Sequence, residues 1–202
     1  ESCHDALVAE LKSTIDAFYG SDAQSSPDYP RLINEAHFDR VASLIHPDKV
    51  VHGGQTDRDD KYIAPTLMTD VTDDDAVMQE EIFGPVLVSL TFRTPSEAVS
   101  LANNTRYGLA ASVWSDNVNL ALDAASKVKA GSVWVNSTNL FDAASGFGGY
   151  RESGFGREGG KEGLFEYLRP AWQERPRSNF DPQAESESET AWGAYTPARP
   201  TM

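Results

Sequence analysis

The sequence predicts an α/β fold in which a parallel sheet is covered by helices. Three apolar runs, at residues 86–92, 109–114 and 133–135, are typical of strands that are buried on both faces. The two segments that separate these runs carry helix start and stop signals. Because strands that alternate with helices at such short intervals pair in parallel, we expect one helix-covered sheet.

Two amphipathic helices are predicted ahead of this sheet. Apolar residues recur at helical spacing over residues 7–18, and Gly20 follows as a stop signal. Ser2 and Asp5 have the spacing of a capping box at the start of this helix. The second helix is expected to present one apolar face, formed by side chains within residues 38–45.

A turn and an extended segment follow the second helix. Gly53 and Gly54 mark the turn. Residues 62–68 are expected to be extended, but Pro65 cannot donate a sheet hydrogen bond and therefore indicates a sheet edge or a strand end.

Both helices of the alternating region have recognisable ends. Residues 94–97 (TPSE) supply a cap, a first-turn proline and a capping-box glutamate. The next helix is predicted over residues 117–129, with Lys127 and Lys129 in its last turn and Gly131 as its stop signal.

The regular pattern ends at a long glycine-rich loop, residues 137–160. Loops of this length are usually functional or disordered, and the aromatic residues in this one indicate that it is ordered. A short helix is expected over residues 162–168. The resulting domain is predicted to end at residue 170, because residues 171–202 are rich in proline and acidic residues and are typical of a linker or tail.

Composition excludes several classes of function. The formal net charge of −14 repels phosphate backbones, so nucleic acid is not an expected partner. No apolar run is long enough for a membrane span, and the four histidines have no metal-binding spacing. A single cysteine and the lack of a signal pattern predict a cytoplasmic location. The chain does not begin with Met, which indicates that it is a piece of something longer.

The most informative segment is residues 80–85 (EEIFGP), directly before an apolar run. Loops at the mouths of strands hold ligands in α/β enzymes. There a carboxylate such as that of Glu81 can accept hydrogen bonds from sugar hydroxyls, and a ring such as that of Phe83 can pack on a flat ligand. An extended segment would place these two side chains on one face. The alternative is a charged strand edge with a core phenylalanine.

Four motifs, in order along the chain, resemble those of the aldehyde dehydrogenase superfamily. They are residues 80–85 (EEIFGP), 103–111 (NNTRYGLAA), 130–136 (AGSVWVN) and 147–158 (FGGYRESGFGRE). The resemblance covers residues 1–170 and implies the C-terminal part of the family's catalytic domain.

The resemblance implies roles for five residues. Glu81 would hydrogen-bond the nicotinamide ribose of NAD or NADP, and Phe83 would pack near the nicotinamide. Asn139, Phe141 and Phe147 would line the aldehyde pocket. For these loop aromatics, anchoring of irregular backbone is an equally good interpretation. Glu80 is assigned to structure or solvent, and Gly146 stands where many family members have proline.

The implied reaction is oxidation of an aldehyde to a carboxylic acid through a cysteine thioester. The chain lacks the G-Q-x-C pattern around the family nucleophile, so no catalytic residue is assigned to it, and Cys3 is interpreted as an incidental helix-end thiol. Residues 154–159 fit G-x-G-x-x-G but do not follow a strand, so they are not interpreted as a dinucleotide fingerprint.

The expected partners are a small-molecule aldehyde, the remainder of the chain's own enzyme and further copies in a homo-oligomer. The alternative is a non-catalytic aldehyde-dehydrogenase-like module that acts in assembly. Glu81 and Phe83 favour a working site, because a scaffold has no need of both.

Overall fold

Six α-helices and seven short strands lie within residues 2–168, the part of the chain that this computed structural model describes, and they alternate from α3 onward. The helices are α1 (His4–Tyr19), α2 (Glu35–Ser43), α3 (Ala76–Gln79), α4 (Pro95–Asn103), α5 (Val118–Lys127) and α6 (Gly160–Glu166). The strands are β1 (Val50–His52), β2 (Thr56–Asp57), β3 (Tyr62–Ile63), β4 (Thr66–Met68), β5 (Val86–Val88), β6 (Ala110–Val113) and β7 (Ser132–Val135). The predicted tail, residues 171–202, lies outside the described residues. None of the described helices has the length and apolarity to cross a bilayer.

The strands confirm the α/β class and the parallel pairing. Strand β4 pairs with β5 in parallel and with β1 in antiparallel orientation, and β6 pairs with β7 in parallel. Strands β2 and β3 form a separate antiparallel hairpin. The described strands therefore form three hydrogen-bonded groups, whereas one sheet was expected. The local pattern encodes which segments are strands, but it does not encode which strand edges meet.

The core of the first half is built where β3 and β4 pass under α2. Ile63, Leu67 and Met68 are fully buried there, together with Val41 of α2. Pro65 separates β3 from β4, as its missing N–H group predicted. The apolar face predicted for the second helix is confirmed, because it packs on this core.

Helix caps explain most of the correctly predicted helix starts. The Asn34 side chain accepts a hydrogen bond from the His37 amide at 2.8 Å, and the Thr94 hydroxyl accepts one from the Glu97 amide at 3.1 Å. The capping box expected at Ser2 and Asp5 is wrong. Helix α1 begins after Cys3 without a side-chain cap, and the Asp5 carboxylate instead contacts the ring of its neighbour His4.

Several apolar surfaces remain open within residues 2–168. No residue of α1 is fully buried, β6 alternates between exposed and half-buried positions, and Leu87 of β5 is exposed. The expectation that each predicted strand is buried on both faces is therefore wrong for the described residues. Helix α5 covers one side of β6 and β7. The uncovered faces are of the kind that further protein covers.

Candidate functional site

The 80–85 segment connects α3 to β5 and is fixed from α2. The Arg40 guanidinium donates hydrogen bonds to two consecutive backbone carbonyls, that of Glu81 at 2.9 Å and that of Ile82 at 2.7 Å. The Ile82 side chain packs against the core cluster. The main chain of this segment is therefore held on two sides while its polar residues stay outside.

Gly84 lets this segment approach α2 closely. A Cβ at Gly84 would lie 2.8 Å from Cγ1 of Val41, which is fully buried and cannot move away. One residue further, the Pro85 carbonyl accepts a hydrogen bond from the Thr66 amide at 2.9 Å. This bond ties the segment to the start of β4, so its position relative to the sheet is set.

Phe83 has an unusual backbone conformation and an exposed ring. Its φ of 47° lies in the left-handed region, which costs a residue with a Cβ roughly 1–2 kcal/mol. Its side chain is 80% exposed. The expectation that residues 81–83 are extended is therefore wrong, because the chain turns at Phe83. Strain of this kind at an exposed aromatic residue points to a functional site.

The two neighbouring glutamates differ in their surroundings. The Glu80 carboxylate lies 4.0 Å from the Arg40 guanidinium, a contact that agrees with a structural role. The Glu81 carboxylate is exposed and has no hydrogen bond or ion pair with any other residue in the 2–168 range. Its oxygens are therefore free to accept hydrogen bonds from a ligand.

A half-buried ion pair, between Lys49 and Asp75, lies just ahead of this segment in the chain. The Lys49 ammonium lies 2.6 and 2.5 Å from the two carboxylate oxygens of Asp75, which also accepts a hydrogen bond from the Thr72 amide. The hydrogen bond from Lys49, reinforced by that from Thr72, lowers the pKa of Asp75 to about 2. Asp75 directly precedes α3, so the pair fixes the chain just ahead of the 80–85 segment.

This pair predicts an acid-dependent contribution to stability. Since the pKa of Asp75 is lower in the folded state, the stabilisation is complete above pH ~4 and is lost as the pH falls toward ~2. We expect Asp75→Asn to lower the melting temperature of the protein at pH ~6, and the difference in melting temperature from wild type to narrow at pH ~3. Asp74→Asn, at an exposed neighbouring position, is the control and should have the melting temperature of wild type at both pH values. A gap that is constant with pH would contradict the assignment.

A second group of candidate residues forms an aromatic cluster at the end of β7. The ring of Phe141 lies 5.0 Å from that of Phe147, and Trp134 contacts both, at 5.7 and 6.3 Å between centroids. The Trp134 indole N–H donates to the Leu140 carbonyl at 3.0 Å, which closes the loop over the cluster. The loop is therefore ordered here, as its aromatic residues predicted.

This aromatic cluster lines a cavity of about 370 Å³. Phe141 and Phe147 are both on its wall, and Trp134, which sequence reasoning did not single out, joins them. The sequence feature that could have indicated Trp134 is its place as an aromatic residue in the strand that leads into the loop. Asn139 does not line the cavity; it is exposed and has a left-handed φ of 52°.

The loop is fastened to β6 and β7 by close backbone contact. The amides of Gly131 and Tyr150 both donate to the Gly108 carbonyl, at 3.0 and 2.9 Å. A Cβ at Gly131 would lie 1.7 Å from the carbonyl oxygen of Gly148. Gly131 is therefore required for close packing, and the expectation that it stops a helix is wrong, because α5 already ends at Lys127.

Arg151 links two of the sequence motifs by hydrogen bonds. Its guanidinium donates to the backbone carbonyls of Asn103 and Thr105, and the Ser153 hydroxyl accepts from the Gly108 amide at 2.9 Å. These contacts join residues 103–108 to the turn at residues 150–153. They give a physical reason for the presence of both motifs in one chain.

Three other candidates do not contribute to a site. Residues 154–159 contain no strand and lead into the seven-residue α6, unlike a dinucleotide fingerprint. Cys3 is exposed at the start of α1. Within residues 2–168 no three His, Cys, Asp or Glu side chains are grouped so that they could hold a metal ion. No hydrogen bond or ring contact among the described residues joins the 80–85 segment to the aromatic cluster.

Comparison with known proteins gives consistent matches. The sequence model of the aldehyde dehydrogenase family matches residues 1–172. Rat aldehyde dehydrogenase family 3 member A2 is 38% identical over 173 residues, which are 84% of this chain and 36% of the relative. A rat dimeric, NADP-preferring aldehyde dehydrogenase is 39% identical over 163 residues, 80% of this chain and 36% of that protein.

Solved structures with the same fold include a betaine aldehyde dehydrogenase from Staphylococcus aureus in complex with NAD+. It aligns with a TM-score of 0.73 and 32% identity, over 90% of this chain and 39% of that one. The chain thus spans little more than a third of the length of the proteins it matches.

Proposed function

The chain belongs to the aldehyde dehydrogenase family, and we propose that it forms part of the active site of an NAD(P)-dependent enzyme that oxidises an aldehyde to a carboxylic acid. Within that active site, this chain would position the nicotinamide ribose and form one wall of the substrate pocket. The observation that supports this most is the 80–85 segment, whose fixed main chain carries the exposed ring of Phe83 and a Glu81 carboxylate that no other residue within 2–168 binds.

The residues of this segment fit a nicotinamide nucleotide. The Glu81 carboxylate would accept hydrogen bonds from the ribose hydroxyls, and the Phe83 ring would pack near the nicotinamide. When bound, the cofactor supplies the hydride acceptor. Holding the acceptor ring at contact distance from the substrate carbon lowers the barrier by several kcal/mol.

The aromatic cluster is proposed as the pocket wall. Rings of Trp134, Phe141 and Phe147 provide an apolar surface that suits an aldehyde and keeps water away from a thioester until hydrolysis. Asn139 belongs to the same loop but does not line this cavity, so its expected pocket role stays a prediction. The same ring contacts would also anchor an irregular loop, so pocket and anchor roles are compatible here.

The nucleophile is proposed to lie outside this chain. Cys3 is exposed at a helix end and is not placed beside either part of the candidate site by any contact among the described residues. The relatives include an enzyme named as NADP-preferring and a structure holding NAD+, which supports a nicotinamide dinucleotide without choosing between the two. The cytoplasmic location and the homo-oligomer stay predictions.

The alternative function, a non-catalytic module in assembly, is not favoured. A scaffold would gain nothing from a strained, exposed Phe83 or from an uncompensated carboxylate at Glu81. The uncovered apolar faces are explained equally well by the remainder of an enzyme.

The chain made alone is predicted to be inactive and to self-associate. Leu87 of β5, Leu109 and Trp114 at the two ends of β6, and exposed apolar side chains of the glycine-rich loop would be buried between copies, because no other protein covers them. We expect light scattering to show oligomers or aggregates and no aldehyde-dependent NADH or NADPH formation. The control is the full-length enzyme in the same assay. A monodisperse monomer that oxidises aldehydes would overturn the proposed division of the site.

A further inference from the structure

We propose that Arg40 is a positioning residue for the cofactor site, through its two hydrogen bonds to the main chain of the 80–85 segment. The inference rests on the proposed function and adds to it a residue from α2, outside all four motifs. Arg40 is proposed to act through the position of the Glu81 carboxylate, not through a contact of its own with the ligand.

The geometry of the contact is specific to a turning chain. In an extended strand successive carbonyls point to opposite sides, so one side chain cannot bind two of them in a row. Arg40 does so at Glu81 and Ile82, with distances of 2.9 and 2.7 Å. The guanidinium therefore stabilises the turn that Phe83 completes in its left-handed conformation.

Arg40 leaves the reactive groups of the segment free. Its bonds go to carbonyl oxygens, and the carboxylate nearest to it is that of Glu80, at 4.0 Å. The Glu81 carboxylate therefore keeps its acceptor oxygens for a ligand, because Arg40 does not bind them. Arg40 thus fixes where Glu81 points without competing for it.

The helix that carries Arg40 is itself well held. Phe38 and Val41 of α2 are buried in the core, and the Asn34 side chain caps its first turn. On the outer face Arg58 pairs with Glu35 and Asp39, both at 2.8 Å. Because α2 is fixed on the core, Arg40 also fixes the 80–85 segment relative to the core.

An arginine is required for this contact. The planar guanidinium offers a fork of donors that reaches two acceptors at once, whereas a lysine ammonium keeps the charge but binds as a point. Arg40→Lys therefore removes the bidentate contact with little loss of helix propensity or packing. Arg58→Lys is the matched control, since it changes an arginine that is bound to the same helix but does not reach the 80–85 segment.

The test compares Arg40→Lys, Glu81→Gln, their double variant and Arg58→Lys in the full-length enzyme. We expect amide hydrogen exchange of the peptide spanning residues 79–88 to be about tenfold faster in Arg40→Lys without cofactor, with the melting temperature no lower than in Arg58→Lys. Single-turnover hydride transfer should slow by about tenfold in Arg40→Lys and stay normal in Arg58→Lys.

The double variant separates positioning from general stability. If Arg40 acts through Glu81, the double variant is about as slow as the slower single variant, because the effects are not additive. Effects that multiply, or normal exchange and normal hydride transfer in Arg40→Lys beside a slow Glu81→Gln, would overturn the role of Arg40 and leave the proposed function standing. A normal rate in Glu81→Gln would overturn the ribose role and this inference together.

Discussion

Replacing Glu81 by glutamine in the full-length enzyme is expected to slow hydride transfer by roughly 10- to 100-fold. The substitution keeps the shape of the side chain and exchanges one acceptor oxygen for a donor amide. The lost charge-assisted hydrogen bond to the ribose is worth about 1.5–3 kcal/mol in a dry site. The nicotinamide would then be held loosely, and hydride transfer would become slow enough to limit turnover.

The measurement is single-turnover hydride transfer with protonated and deuterated aldehyde. We expect a larger isotope effect on turnover in Glu81→Gln than in wild type, since the chemical step has become limiting. Glu80→Gln is the adjacent control: it weakens one exposed contact to Arg40 at 4.0 Å, worth at most ~1 kcal/mol, and leaves the carbonyl bonds intact. Equal effects at both positions, or none at Glu81, would leave Glu81 as a surface charge.

Replacing Gly131 by alanine is expected to destabilise the domain by about 3 kcal/mol. The new Cβ would lie 1.7 Å from the carbonyl oxygen of Gly148, and this obstacle is main chain, not a side chain that can rotate away. The strand and the loop would have to separate, which would also disturb the aromatic cluster beyond Gly148. Loss of activity should accompany the loss of stability.

This prediction is checked by the melting temperature of the full-length enzyme and by limited proteolysis within residues 137–160. Gly146→Ala is the matched control in the same loop, because the atoms nearest to its Cβ would be those of the Arg157 side chain, at an ordinary contact distance of 3.4 Å. A normal melting temperature in Gly131→Ala would show that the two backbones are farther apart than described. A large loss of stability in Gly146→Ala would show that any added Cβ destabilises the loop, and would contradict a specific role for the contact with Gly148.

Local sequence signals predicted the elements well wherever the cause is local. The cap predicted within residues 94–97 is present, because the Thr94 side chain accepts from the amide three residues on, which depends only on nearby sequence. Asn34 and Asn117 cap helices in the same way, although the sequence analysis did not name them. Gly20 ends α1 with φ of 78° for the same kind of reason. The motifs also placed Glu81, Phe83 and Phe147 in segments that connect helices and strands.

The errors arise where residues distant in sequence meet. Nothing near Phe83 indicates a left-handed turn, because Arg40, some forty positions earlier, holds it. Gly131 was interpreted as a helix stop. The reason for a glycine there is the carbonyl of Gly148, which leaves no room for a side chain, and the residues next to Gly131 do not indicate that contact. The local sequence pattern likewise does not indicate which strands pair with β5 and β6.

The contact from Arg40 has a consequence for how such a site can change over time. The two hydrogen bonds that Arg40 donates to this segment go to main-chain oxygens, which every amino acid supplies. Substitution at position 81 alters what the segment binds without altering what holds it in place. The support and the chemistry of this segment are therefore encoded by different residues, and selection can revise ligand preference without having to rebuild the support.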